Sequence, residues 1–417
     1  MCVSQGWVKT PGNPFADRWL TREGCRTVLV VVPHMTAGTR LADLLLLLSG
    51  DHRLQIVFTV PAMADAWHGV EQYVRGWGGV VLPWEQVVRM RFDLVLAASF
   101  QEVHRVSGPV LVSPHGVGMV KSRLSPWDGV QEGVRAVSGL GRELLVRDGR
   151  VVPAGVLLTH DAELERLREV CPEAVPTAVV VGDPCYDRLV ASLPFRARYR
   201  HALGVLEGRT LVVVSSTWSR HSLLGGEPEF FARVAAELPA DRYRVVTALH
   251  PNIWSLHGSW QVRSWLADYL DAGHALLPPE EGWRAAVVAA DAVIGDHGSV
   301  TVYAAALGVP VVMSSASARD EASGSLTARL RGLSPRLDDA RPVDLQVREA
   351  IAAHDLERYS WVAGRVTSRP GRAAALVRRR IYSLLRLEEP ERRTPVSGPV
   401  PLPVPMAGWN DGVDEAC

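Results

Sequence analysis

Several short polar segments of this chain carry residue types suited to phosphate and proton chemistry. The sharpest is Asp296-His297-Gly298-Ser299, followed by a helical stretch over 300–307 that ends at Gly308. Ser299 reads as a natural N-cap, and Gly298 lets backbone approach a ligand closely. The N–H groups and positive dipole end of such a helix form an anion site. The same residues also fit a capped helix with no ligand; His297 and Asp296 tip the reading towards function. His250-Pro251 is the second segment. Proline stops a strand and fixes the turn, leaving an imidazole at the sheet edge that can donate to a phosphate oxygen. In isolation a packed or surface histidine in a turn is the better explanation of this pair; its position one or two strand–helix units before the Ser299 helix raises the functional reading above it.

The third segment is Pro114-His115-Gly116, with Lys121 five positions beyond Gly116. A histidine there could take a proton from an acceptor hydroxyl, and Lys121 could hold an anionic acceptor or stand as a solvated loop charge. His34, Asp183 and Ser215-Ser216-Thr217 are further polar groups of the same kind.

The elements that must position these groups are parallel strands. Residues 27–32 are β-branched and apolar on both faces, as in a strand covered by helices on each side. A glycine-containing turn over 36–39 then leads to a helix over 41–48. Strands follow at 55–60, 94–97, 109–112, 155–159 and 178–181, with helical stretches between several of them. Residues 194–208 break the rhythm, and a second series runs through 211–214, 243–249, 275–277, 292–294 and 309–313. Strand–helix alternation implies doubly wound sheets. In open parallel sheets ligands bind beyond the carboxyl ends of the strands, where every segment above falls. Two such sheets facing one another would aim these groups into one cleft.

The expected division is a flexible lead over 1–20, a Rossmann-like acceptor domain over 21–195 and a Rossmann-like donor domain over 205–345. A helical return follows over 346–387, and a proline-rich, disordered tail over 388–417. Residues 372–387 are basic and amphipathic. They fit a helix packing back on the first domain or, alternatively, a peripheral contact with an anionic membrane.

Bulk properties narrow the class. Lys plus Arg and Asp plus Glu both total 45, a balance that argues against a nucleic-acid partner. Five scattered cysteines with no CxxC spacing argue against a disulfide framework or zinc cage and fit a reducing compartment. With no signal-peptide pattern and no long apolar run, the expectation is a soluble cytoplasmic protein. HExxH, GxSxG and GxGxxG motifs are all missing, which removes support for a zinc hydrolase, a serine hydrolase and a dinucleotide oxidoreductase.

Taken in order, the segments resemble the CDP-glycerol glycerophosphotransferase family of teichoic-acid primases and polymerases. His115-Gly116 with Lys121 resembles its His-Gly segment, and Gly182-Asp183-Pro184-Cys185-Tyr186-Asp187 its Gly-x-Pro-x-Tyr-Asp segment. Ser216-Thr217-Trp218 with Arg220 is similar to its Pro-Thr-aromatic-Arg segment, and His250-Pro251 to its His-Pro pair. Residues 290–299 resemble its Ala-Asp-x-x-Ile-x-Asp-x-Ser-Ser run. The departures are Gly298 for the first serine, His297 for an aromatic and Ser216 for proline.

The resemblance implies a GT-B fold with the donor held mainly by the second domain. It implies His250 and Ser299 on the donor pyrophosphate and His115 as general base. Thr217, Arg220, Asp296, His297 and Gly298 complete the donor set, and His34, Gly116, Lys121 and Asp183 lie on the acceptor side. No metal or bound cofactor is expected; the co-substrate is a nucleotide-activated donor, CDP-glycerol or a nucleotide sugar. The expected activity is transfer of a glycerophosphate-like or glycosyl group to a hydroxyl. The alternatives are a sugar-nucleotide glycosyltransferase on the same fold, with a 2-epimerase ranked last, and a retired enzyme that binds a nucleotide or a partner.

Overall fold

The computed structural model describes residues 7–10, 21–63, 67–117, 139–316, 325–391 and 397–406. They form two compact units. Of these residues, those within 7–117, 139–185 and 368–397 make the first unit, and those within 186–367 and 398–406 the second.

In the first unit the strands are β1 (Arg26–Val31), β2 (Leu54–Thr59), β3 (Val80–Val81), β4 (Leu94–Ala97), β5 (Val110–Val112), β8 (Gly155–Leu158) and β9 (Ala178–Val180). All pair in parallel, in the order β3-β2-β1-β4-β5-β8-β9, beside a small antiparallel hairpin, β6 (Val146–Arg147) and β7 (Arg150–Val151). Alternate residues of a strand point to opposite faces. Val28 and Val30 accordingly join one apolar cluster, and Leu29 and Val31 another. Both clusters consist of buried apolar side chains, which explains the unbroken apolar run of β1.

The first cluster also takes in Val377, Ile381 and Leu385 of the helix Ala373–Leu385. The apolar face of the basic helix is thus spent on the core of the first unit, as its packing reading expects. Arg380 donates to the Ala154 carbonyl at 2.7 Å, and Tyr382 donates to Asp51 at 2.8 Å.

The second unit holds β10 (Thr210–Ser216), β11 (Tyr243–Leu249), β12 (Ala275–Leu276), β13 (Ala292–Gly295) and β14 (Val311–Met313), all parallel, in the order β12-β11-β10-β13-β14. Each unit is therefore a doubly wound Rossmann-like sheet whose strand order reverses beside its first strand, between β1 and β4 and between β10 and β13. Crevices at such reversals are where this architecture binds ligands.

Three local expectations need correction. The turn expected at 36–39 is helical: the helix spans Met35–Leu45, because the His34 ring accepts the Ala37 N–H and caps it one turn early. Gly38 is there for close packing, since a Cβ would lie 2.5 Å from the Tyr73 ring. At the other end of the sequence, residues 398–406 of the tail expected to be disordered lie along the second unit. Arg188 donates to the carbonyls of Gly398 and Pro399, Ser192 and Tyr199 bond the Val400 backbone, and the Met406 N–H donates to Leu276. Proline-rich chain offers carbonyls without competing N–H groups, so side chains of neighbouring helices can hold it. The third correction concerns the Ser299 cap and belongs to the site. Among the described residues no helix is long and apolar enough to cross a membrane.

Candidate functional site

In the first unit, the chain leaves β1 at His34, β4 at Ala98, β5 at His115 and β9 at Asp183, so all four meet the same sheet edge. The His115 Nδ1 lies 2.6 Å from the Ala98 carbonyl. A carbonyl only accepts, so Nδ1 carries the proton and Nε2 is the basic nitrogen of the neutral ring. The His34 ring packs edge-on against His115 with centroids 4.9 Å apart, and Trp67 lies 5.1 Å from His34 on a tilted face.

Behind this row, Arg40 sits on the helix that His34 caps. Its Nη1 meets Asp183 Oδ1 at 3.0 Å and its Nη2 meets the Gly116 carbonyl at 3.0 Å. The two side chains are 3% and 0% exposed. Asp183 Oδ1 also accepts the Cys185 N–H at 2.8 Å, closing the start of the helix Pro184–Ser192. Asp183 thus neutralises a buried guanidinium and shapes a turn. Lys121 lies outside the described residues.

The second unit gathers its groups around Asp296, which is fully buried. Asp296 Oδ2 accepts the Thr217 N–H at 2.7 Å, the Thr217 hydroxyl at 2.8 Å and the Leu223 N–H at 3.1 Å. Its Oδ1 accepts the Gly298 N–H at 3.1 Å. One carboxylate therefore ties the loop after β10 to the loop after β13, across the reversal of strand order. Gly298, not Ser299, is the N-cap residue of the helix Ser299–Ala306 (φ −71°, ψ 158°), and Ser299 is its first helical residue. The reason is that Asp296 already organises the turn, so no hydroxyl is needed for the cap.

Gly298 is also constrained by space, since a Cβ would come 3.0 Å from Thr217 Cγ2 and 3.3 Å from Asp296 Oδ1. His297 Nε2 stands 3.4 Å from the Thr217 hydroxyl. That hydroxyl gives its proton to Asp296, which leaves it to accept from the imidazole.

His250 is the N-cap of the helix Pro251–Trp265: its Nδ1 accepts the Asn252 N–H at 3.2 Å. In the neutral ring the proton then sits on Nε2, the opposite placement from His115. The Trp218 ring lies 6.4 Å from the His250 ring. Arg220 is exposed, with Nε 3.2 Å from His221 Nε2, outside the Asp296 network. Ser215 and Ser216 prolong β10 beyond the expected end and are buried; the Ser216 hydroxyl accepts the Leu224 N–H.

Tyr186, from the same segment as Asp183, donates to the Ala306 carbonyl at 3.2 Å, and burial pushes its phenol up. Among the described residues, no group of three or more His, Cys, Asp or Glu stands together as metal ligands would.

No protein-family model and no curated protein sequence matches the chain. Solved structures do. A variant of the wall teichoic acid polymerase TagF superposes with a TM-score of 0.59 at 10% identity, over 87% of this chain and 90% of that one. Unaltered TagF gives 0.55 at 12% identity, over 87% and 89%. The UDP-GlcNAc 2-epimerase of Neisseria meningitidis, bound to UDP-GlcNAc, gives 0.52 at 13% identity, over 86% and 100%. The fold is of the GT-B class. Within this GT-B chain, sequence reasoning missed Arg40 and Trp67. Neither belongs to a motif that the sequence shows.

Proposed function

We propose that this protein is a transferase that moves a glycerophosphate-like group from a nucleotide-activated donor, of the CDP-glycerol kind, to an acceptor hydroxyl. The observation that carries the reading is the opposite proton placement on two strand-end histidines. His115, held through Nδ1–H by the Ala98 carbonyl, offers a basic Nε2. His250, accepting at Nδ1 from Asn252, offers Nε2–H. One suits removal of a proton, the other donation to a phosphate oxygen.

In the proposed step the acceptor hydroxyl gives its proton to His115 Nε2 and its oxygen attacks the glycerophosphate phosphorus. A new P–O bond forms, the P–O bond to the nucleotide breaks, and CMP leaves with the electron pair. The N–H groups opening the helix Ser299–Ala306, with His250, stabilise the charge that develops on the phosphates. Thr217, Asp296, His297 and Gly298 keep that turn in shape. Gly298, where the resembling family has serine, fits the space that the Thr217–Asp296 bond leaves, so it is compatible with a working site. The bound UDP-GlcNAc of the epimerase neighbour favours a second reading, in which the donor is a sugar nucleotide and a glycoside forms.

Thermal-shift screening against CDP-glycerol, CMP, CDP, UDP, GDP and nucleotide sugars tests the proposal. A ligand at 100 times its Kd stabilises the native state by about 2.7 kcal/mol. A cytidine-selective shift, reduced in both Ser299→Ala and His250→Ala, is the expected result. A uridine- or guanosine-selective shift supports glycosyl transfer instead. No shift with any nucleotide sinks the donor site and leaves a retired, partner-binding protein.

A further inference from the structure

We propose that Arg40, with Asp183 as its counter-ion, is a positioning residue for His115. The inference rests on the reading of His115 as the base, and adds the device that aims it. His115 sits on a short loop after β5, tied through its own ring to the Ala98 carbonyl. The next residue, Gly116, has φ +75°, a left-handed turn that reverses the chain there. A loop with such a turn needs a second anchor to fix its direction. The Arg40 fork supplies it, meeting the Gly116 carbonyl with one nitrogen and Asp183 with the other, both at 3.0 Å.

A planar fork matches two acceptors at a fixed angle, which a lysine ammonium cannot do. The pair joins three segments that end at the same sheet edge: the helix capped by His34, the loop of His115 and the turn after β9. Stability alone does not call for a buried ion pair, since well-packed apolar residues of equal volume commonly serve as well. What the ion pair adds is direction. The carbonyl next to His115 is held from behind by a group that no apolar residue can imitate.

Two variants separate this role from simple support of the fold. Arg40→Lys keeps the charge opposite Asp183 but loses the second arm to Gly116. The double replacement R40M/D183L removes both charges of the pair together. The ring nitrogens of His115 are followed by two-bond proton–nitrogen correlation on histidine-labelled protein, with the signal assigned by its loss in His115→Gln. The expected result is that both variants melt close to the parent while the His115 ring leaves the pure Nδ1–H form for a mixture of tautomers. The turnover number then falls about 10- to 100-fold, the range for a misplaced catalytic group, and the donor KM changes less than twofold. Unchanged ring signals in both variants overturn the inference. If the parent transfers no group from any donor, the transferase reading fails, and the ring signals still decide whether Arg40 aims His115.

Discussion

The two strand-end clusters solve one problem, a buried carboxylate next to chemistry-bearing loops, in different ways. In the first unit Asp183 is balanced by a full positive charge, Arg40, and also accepts the Cys185 N–H. In the second, Asp296 has no cation among its hydrogen-bond partners in the described residues and accepts from three backbone N–H groups and one hydroxyl. An ion pair links two side chains from distant segments and holds a direction. A carboxylate ringed by N–H groups instead moulds the backbone itself, drawing two loops around one centre. The first arrangement suits a side chain that must be aimed, and the second suits backbone that must present N–H groups to an anion.

The contrast can be broken at its strongest point by removing one charge. Arg40→Met alone leaves Asp183 buried and uncompensated, and should cost about 3–5 kcal/mol. The double variant R40M/D183L should recover most of that loss. Urea melts of the three proteins measure it, and a single variant as stable as the parent would show that water or another group already balances Asp183.

Asp296→Ala should come next in size. It strands the buried Leu223 N–H, at about 1–3 kcal/mol, with the half-buried N–H groups of Thr217 and Gly298 free to turn to water, and should also abolish any nucleotide-dependent rise in melting temperature. Asp296→Asn, which keeps the shape but cannot accept four donors, should fall between parent and alanine. Retention of a full nucleotide shift in the alanine variant would show that the turn at Gly298 holds its form without its centre.

Acid separates the two units further. In the second unit burial pulls the His274 imidazole down to about 4 from its ordinary 6.5. The unfolded chain therefore binds a proton that the folded unit refuses. The stability at stake is complete above pH 6.5 and is lost as pH falls towards 4, on the order of 2–3 kcal/mol. In the first unit the Arg53 guanidinium holds the Asp51 carboxyl well below the usual carboxylate range, so its contribution persists into stronger acid. Differential scanning calorimetry between pH 7 and 4 should show the second unit losing stability first, with His274→Phe flattening the loss. An unaltered pH slope in that variant would place the acid sensitivity elsewhere.

Parallel, two-sheet architecture was legible because it is written locally. Apolar β-branched runs such as 28–31 can only be strands covered on both faces, and His34, Asp183, His250 and Asp296 each follow such a run directly. Residue order alone thus determined the fold class, the sheet edge on which polar groups collect, and the family whose segments they resemble. The tertiary structure decided what each of those residues does. Whether a histidine presents a lone pair or a proton depends on the atom facing its other nitrogen, the Ala98 carbonyl for His115 and the Asn252 N–H for His250. That partner lies 17 residues away in the first case. Arg40 and Asp183 are 143 residues apart and share no motif, so nothing short of the folded chain could pair them. The tail, polar and proline-rich, read as disordered because its anchors are side chains of Arg188, Ser192 and Tyr199, roughly two hundred residues upstream. Local patterning sets where the chain can bury itself, whereas proton placement and charge pairing depend on which distant atoms the packing brings within hydrogen-bond reach.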